Sequence, residues 1–231
     1  MASRYMQPYI LYAPDMQKQH AHVHWETKNP TWVRLSIVLQ RMGIKNRYFF
    51  LALLQPELKH VDTHDPHLSD EIKARILVEA KLNPWYFFRE CLRVPAAGGD
   101  NAFFELHRGN LAALWSMLGS RDCFLVQPRQ TGKSYVSGSY FTYLLFVATS
   151  FYQIGHYNKD AGTGADLVRK IKELKNGLPP WMVEKSTADI DRKESLGYAK
   201  LHNEFKTFAA PIDERSAYKL GRKLKHCVLV G

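Results

Sequence analysis

The sequence predicts an α/β protein with a mainly parallel sheet, preceded by a small helical subdomain. Two observations predict it. From about residue 101, short apolar runs alternate with helical stretches: CFLV (123–126), FYQIGHY (151–157) and CVLVG (227–231) are the strand candidates. Apolar strands separated by helices belong in a parallel sheet covered on both faces. Before residue 100, by contrast, the clear signals are helix starts and stops.

Taken in order, residues 1–28 are polar and mixed and read as an N-terminal arm. Residues 29–100 form the helical subdomain. Asn29-Pro30-Thr31 punctuates the start of the helix WVRLSIVLQRM, and NRYFFLALL is expected to be a second short helix ending at Pro56. Ser69, followed by Asp70 and Glu71, marks a helix N-terminus with Ile72, Ile76 and Ala80 on one face. NPWYFFRECL (83–92) is an aromatic helix with Pro84 in its first turn, and its four consecutive aromatics are better suited to a core than to stacking bases. Pro95 and Gly98-Gly99 break the chain. Beyond them come a helix over 106–118, the strand CFLV, a helix over 133–148, the strand FYQIGHY and a helix over 164–177 closed by Gly177. YAKLHN and FKTFAAP read as short strands or a hairpin before the final apolar strand.

The composition narrows the function classes. The 231 residues are 45% hydrophobic and 23% charged, ordinary for a chain that builds a core. A net charge of +10 and a pI near 9.5 suit a polyanionic partner, nucleic acid first, and equally a plain solvated basic surface; charge alone leaves the two even. Cys91, Cys123 and Cys227 are scattered through apolar stretches without a C-x-x-C pair, which argues against a disulfide scaffold or a cysteine zinc site. SYFTYLLFVATSFY (139–152) is too short and too interrupted to span a bilayer, and the N-terminus has no basic-then-apolar leader. A soluble protein of a reducing cytoplasm, with no membrane partner, is expected. His20, His22 and His24 would share a side of an extended segment, and His60, His64 and His67 share a loop. Neither set has a recognisable zinc spacing, so a solvated role is favoured over metal.

The stretch carrying chemistry is CFLVQPRQTGKSYVSG (123–138). It matches the phosphate-loop pattern G-x-x-x-x-G-K-[ST] except that Gln127 stands in place of the first glycine. A strand leads in and a helix leads out, which aims backbone N–H groups and a helix N-terminus at bound phosphate. In that reading the amides of Gln130, Thr131 and Gly132 cradle phosphate, Lys133 neutralises β- and γ-phosphate charge, and the Ser134 hydroxyl ligates Mg²⁺ of Mg·ATP. The competing reading is an ordinary strand–turn–helix joint. The phosphate-loop reading makes residues 101–231 a P-loop NTPase core with a three-layer α/β/α architecture.

P-R-Q-T-G-K-S resembles the Walker A variant of the large terminase subunits of tailed phages, where the first glycine is often replaced and R-Q precedes x-G-K-[ST]. The resemblance implies that Arg129 acts in cis on the γ-phosphate; a solvent-facing or DNA-contacting role is the alternative. Upstream, NPWYFFRECLRVP…GG…FFELHRGNLAALW resembles the lead-in to the ATPase core in giant-phage terminases. The family's adenine-contacting glutamine would fall at Asn110, 23 residues before Lys133, so this chain departs from the pattern. Asn110 keeps the paired donor and acceptor that read an adenine edge, with shorter reach, or else it packs or caps its helix.

Downstream, HYNKDAGTGADLVRKIKELKNGLPPWM resembles the family's strand–loop–helix after Walker A. Its cations Lys159, Arg169, Lys170, Lys172 and Lys175 suit either phosphate contacts or, preferably, an ordinary amphipathic surface. FAAPIDERSAYKLGRKLKHCVLV is similar to the stretch before Walker B, with Lys219, Arg222, Lys223 and Lys225 as the strongest basic cluster and the first candidates for DNA contact. CVLVG stops before the Asp and Glu expected there, and the family's nuclease domain is also absent. The expectation is therefore a portion of a longer or split large subunit whose unaided ATP turnover is doubtful. The implied activity is ATP hydrolysis coupled to moving double-stranded DNA into a procapsid, in the cytoplasm of an infected bacterial host. Portal, procapsid, small terminase subunit and the rest of the large subunit are the implied partners. A helicase-like DNA-dependent ATPase and a non-catalytic DNA-binding or assembly piece are the alternatives.

Overall fold

Pro30, with φ already set by its ring, opens helix α1 (Pro30–Arg41), whose inner side buries Trp32, Leu35, Ser36 and Leu39. The computed structural model describes residues 22–23, 27–44, 47–96, 99, 101–119, 132–158, 161–209 and 226–229. The start of α1 is tied to a distant segment. Asn29 Nδ2 and Trp32 Nε1 donate to the Phe104 carbonyl at 2.8 and 2.9 Å, and Leu106 N donates to Thr31 Oγ1 at 3.1 Å.

The helix expected over 46–54 does not form. Phe49–Leu51 make a single 3-10 turn, and β2 (Ala52–Leu53) pairs antiparallel with β1 (His22–Val23). The reason is burial on every side. Residues 49–53 are all inside, so the run offers no polar face for an amphipathic helix. Next in the chain, Leu54 N and Gln55 N donate to the two carboxylate oxygens of Glu79, both at 3.0 Å, in place of helical bonds.

Helix α2 (Asp70–Leu82) starts where Ser69 predicts, with Ser69 Oγ accepting from Ile72 N at 3.3 Å. Ile76 and Ala80 are buried, and Ile72 packs against the same cluster. Glu79 is buried on this helix too, and its carboxylate also accepts from Asn83 Nδ2 at 2.8 Å. Burial raises its pKa above the ordinary range despite those three hydrogen bonds.

Asn83 caps the following turn, α3 (Pro84–Tyr86), which continues as a π turn over Phe87–Cys91. The aromatics Trp85, Tyr86, Phe87 and Phe88 are all core, as expected, and Trp85, Phe87 and Phe88 meet Phe49, Phe104 and Tyr143 at centroid distances of 5.2–6.2 Å. Arg89 lies fully inside this cluster. Its guanidinium is held by Glu90 Oε1 at 2.7 Å and by the Phe50 carbonyl, and Thr27 Oγ1 donates to the same Glu90 oxygen. A buried cation is tolerable only with such partners. The expected break at Pro95 to Gly99 is a hairpin: β3 (Arg93–Pro95) pairs antiparallel with β4 (Asn101–Phe103).

In the second half the described elements follow the expected order. Helix α4 (Arg108–Gly119) and helix α5 (Lys133–Tyr143, continued as a π turn over Leu144–Ala148) precede β5 (Gln153–Asn158). Helix α6 (Ala161–Asn176) follows, then β6 (Ser195–Tyr198), β7 (Asn203–Ala209) and β8 (His226–Leu229). The strand expected at CFLV lies outside the described residues. The sheet order is β6-β7-β5-β8. β7, β5 and β8 are parallel, and β6 adds an antiparallel edge through the turn Ala199–His202, so the sheet is mixed. Much of YAKLHN forms this turn.

Leu167, Val168, Ile171 and Leu174 are the buried face of α6, matching the expected period. Gly138 on α5 lets the two helices close, since a Cβ there would lie 3.0 Å from Leu174 Cδ1. The two halves share one apolar cluster and are stitched by polar contacts. Tyr143 OH donates to Lys81 O at 2.9 Å, Trp181 Nε1 to Thr63 O at 2.9 Å, and Arg93 N to Gly177 O at 3.1 Å. The described structure is thus a mixed α/β fold, and no helix among the described residues is long and apolar enough to cross a membrane.

Candidate nucleotide-binding site

Gly132 is the first described residue of the site. It sits at the N-cap of α5 with φ 78°, in the left-handed region that favours glycine, and among the described residues no atom beyond its chain neighbours lies within 4 Å of where its Cβ would be. The requirement at this position is therefore conformational, not steric. Its carbonyl accepts from Tyr135 N at 2.9 Å and Val136 N at 3.1 Å, which starts the helix at Lys133. Lys133 and Ser134 occupy the first turn, Lys133 half-buried and Ser134 exposed. The first amides of any helix lack an i−4 carbonyl, and among the described residues no side chain caps this end. Gln130, Thr131 and Arg129, expected to complete the loop, lie outside the described residues.

The return from α5 to β5 runs through residues 149–152, so the helix lies back along the strand, with Phe141 against His156 at 6.2 Å between centroids. The Gly132 end of α5 is consequently on the side of the sheet where β5 and β7 finish. Ligands of open α/β sheets bind at that carboxyl edge. A polar cluster occupies it: Asn158 Nδ2 contacts His156 Nδ1 at 2.8 Å and donates to Thr207 Oγ1 at 3.0 Å. Gly164 of α6 lies directly over it, since a Cβ there would stand 2.1 Å from Thr207 Oγ1. Burial pushes the His156 pKa down to about 4, so the ring is neutral at pH 7. Among the described residues His156 Nε2 and Asn158 Oδ1 are buried without a hydrogen-bond partner. Sequence reasoning passed over this cluster. The alternation in GHYN, with polar side chains two apart on one strand face, was the available signal.

Asn110 lies in the first turn of α4, buried, with Oδ1 lacking a partner. The cap of this helix is supplied by another residue. His107 Nδ1 accepts from Gly109 N at 3.2 Å and Asn110 N at 3.4 Å.

The described cations of α6 behave as a balanced surface. Arg169 pairs with Glu173 at 2.6 Å and Asp166 at 3.6 Å, Lys172 pairs with Asp191, and Lys175 meets Asp189 at 3.7 Å. Lys170 lies over the Tyr135 ring at 5.6 Å, beside the start of α5. Lys159, Lys219, Arg222, Lys223 and Lys225 fall outside the described residues. The 60–67 loop is engaged structurally: Asp62 pairs with Lys28 at 2.8 Å, Asp65 Oδ1 accepts from His67 N, and His64 Nε2 donates to Gly177 O at 3.2 Å. Of the N-terminal histidines only His22 is among the described residues, as part of β1. Among the described residues no group of three or more His, Cys, Asp or Glu is arranged to hold a metal ion.

No protein-family model matches the chain, and no curated protein matches its sequence.

Proposed function

We propose that this chain is the nucleotide-binding portion of a DNA-packaging motor of the terminase large-subunit type, with a P-loop core of three layers from about residue 101. The observation that carries the reading is Gly132. A left-handed glycine at the mouth of a helix whose first two residues are Lys133 and Ser134 is the geometry a phosphate loop needs. The parallel trio β7-β5-β8 beside that helix supports the same core.

In this reading the residues divide the work. Main-chain amides of Gln130, Thr131 and Gly132 cradle the β- and γ-phosphates of ATP, and Lys133 balances their charge. The residues present suit Mg²⁺ as a minor ligand set: exposed Ser134 offers one hydroxyl oxygen, and phosphate oxygens and water provide the rest. Bound Mg²⁺ offsets charge on the transferring phosphoryl group. Arg129 adds positive charge on the same group in cis. Asn110, with a buried amide oxygen that lacks a partner, is the candidate for the adenine edge. Lys219, Arg222, Lys223 and Lys225 supply contacts to double-stranded DNA. Portal, procapsid, small subunit and the remainder of the large subunit are the proposed partners.

Calorimetric titration with Mg·ATP tests the reading. Weak binding is expected, lost in Lys133→Ala while the thermal unfolding midpoint stays in place. Absence of binding by the intact chain, or equal binding by the variant, would overturn it.

A further inference from the structure

Helix α1 carries an apolar line that starts in the core and runs out onto its exposed side. Leu35, Val38 and Met42 follow one another at helical spacing, the first buried and the other two 41% and 52% exposed. Arg34 and Arg41 flank this line on the same helix. Across from it, residues 106–108 form the facing wall, and the two sides enclose an open groove of about 440 Å³. Leu35, Val38 and Leu106 make its apolar lining, while Arg34, His107 and Arg108 stand at its rim.

The charge at this groove is one-sided. Among the described residues no carboxylate pairs with Arg34, Arg41 or Arg108, in contrast to the compensated cations of α6. One acidic side chain, Glu105, lines the groove. Exposed Val38 and Met42 beside cations that no described carboxylate pairs join an apolar surface to a positive one, as an interaction surface does.

We propose that this groove seats an acidic amphipathic helix of a partner protein. Its apolar residues would lie on Leu35, Val38 and Met42, and its carboxylates would meet Arg34, Arg41 and Arg108. The lining chooses between classes of partner. A nucleic-acid backbone asks for cations and hydrogen-bond donors along its path and gains nothing from Val38 or Met42. An amphipathic helix uses both features, with anchors at i, i+3 or i+4, and i+7. The stripe from Leu35 to Met42 rises ~10 Å, two helical turns, so a short helix covers it. This inference is independent of nucleotide binding.

The test uses a fluorescein-labelled peptide of Leu and Glu with Leu at i, i+3, i+4 and i+7, titrated with the full chain and read by fluorescence anisotropy. A control peptide of the same composition scatters its Leu around the helix. The patterned peptide is expected to bind the chain on the order of 10 μM. Val38→Glu and the double variant Arg34→Glu/Arg108→Glu should each weaken it at least about tenfold. All three positions are surface-exposed, and circular dichroism checks the fold of each variant. Because a variant can still misfold, hydrogen exchange on the unmodified chain gives a second reading: the patterned peptide should protect residues 34–42 and 105–108. Equal binding of the control peptide, indifference to Val38→Glu, or absence of that protection overturns the proposal. So does a DNA duplex that competes with the peptide and is itself weakened by Val38→Glu, which would make the groove a nucleic-acid surface.

Discussion

Replacing Gly177 with Ala isolates one close approach between the two halves of the fold. Gly177 follows the last residue of α6, and a Cβ there would stand 2.2 Å from the Arg93 carbonyl oxygen and 2.9 Å from its carbon. Both are backbone atoms of β3, which cannot swing aside as a side chain can. Relief requires β3 to move off, breaking the Arg93 N–H bond to Gly177 O at 3.1 Å. Overpacking of this kind costs about 1–3 kcal/mol, and the broken hydrogen bond adds about 1 kcal/mol. The expected loss is about 2–4 kcal/mol, or about 4–16 °C in Tm for a chain of this size. Equilibrium urea unfolding and differential scanning calorimetry would measure it. Gly43→Ala is the comparison: its φ is 79° with nothing within 4 Å, so only left-handed backbone strain of about 1–2 kcal/mol applies. A Gly177→Ala protein within about 0.5 kcal/mol of the parent would refute the close-packed seam.

Acid should weaken the fold through His156. Its folded pKa of about 4 lies below the unfolded value near 6.5, so its contribution is complete above pH ~6.5 and is lost as pH falls toward 4, to a total of about 3 kcal/mol. Urea midpoints across that window should decline, and His156→Gln should flatten the decline. Glu79→Ala removes the acceptor for Leu54 N, Gln55 N and Asn83 Nδ2, with an expected loss of about 2–4 kcal/mol by urea unfolding, while Glu79→Gln, which keeps one acceptor oxygen, should lose less. Binding to duplex DNA should be indifferent to base sequence and fall steeply with added salt, as fluorescence anisotropy at several ionic strengths would read. An affinity unchanged between low and moderate salt would remove the phosphate contacts.

What was legible in the sequence follows from period and punctuation. Ser69 ahead of Asp70 and Glu71, Pro30 and Pro84 in first turns, and the spacing of Leu167, Ile171 and Leu174 each specify a local geometry that the fold keeps. FFLALL misled because a run buried on all sides has no period, and its backbone is satisfied by Glu79, 25 residues from Leu54. Gly177 was read as helix punctuation, but its importance comes from Arg93, a neighbour that no local pattern reveals. The site was legible in the same uneven way. Gly132, Lys133 and Ser134 form a contiguous motif, whereas His156, Asn158 and Thr207 meet only when two parallel strands align.

The contacts joining Lys81 to Tyr143 and Thr63 to Trp181 bear on how this protein can be handled in pieces. A truncation beginning at residue 101 would strip Tyr143 and Trp181 of their acceptors and bare the side of Tyr143 that Phe87 and Phe88 cover, producing an adhesive fragment. Recombinant work on the second half is therefore best begun upstream of Thr27, whose hydroxyl secures Glu90 beside the buried Arg89.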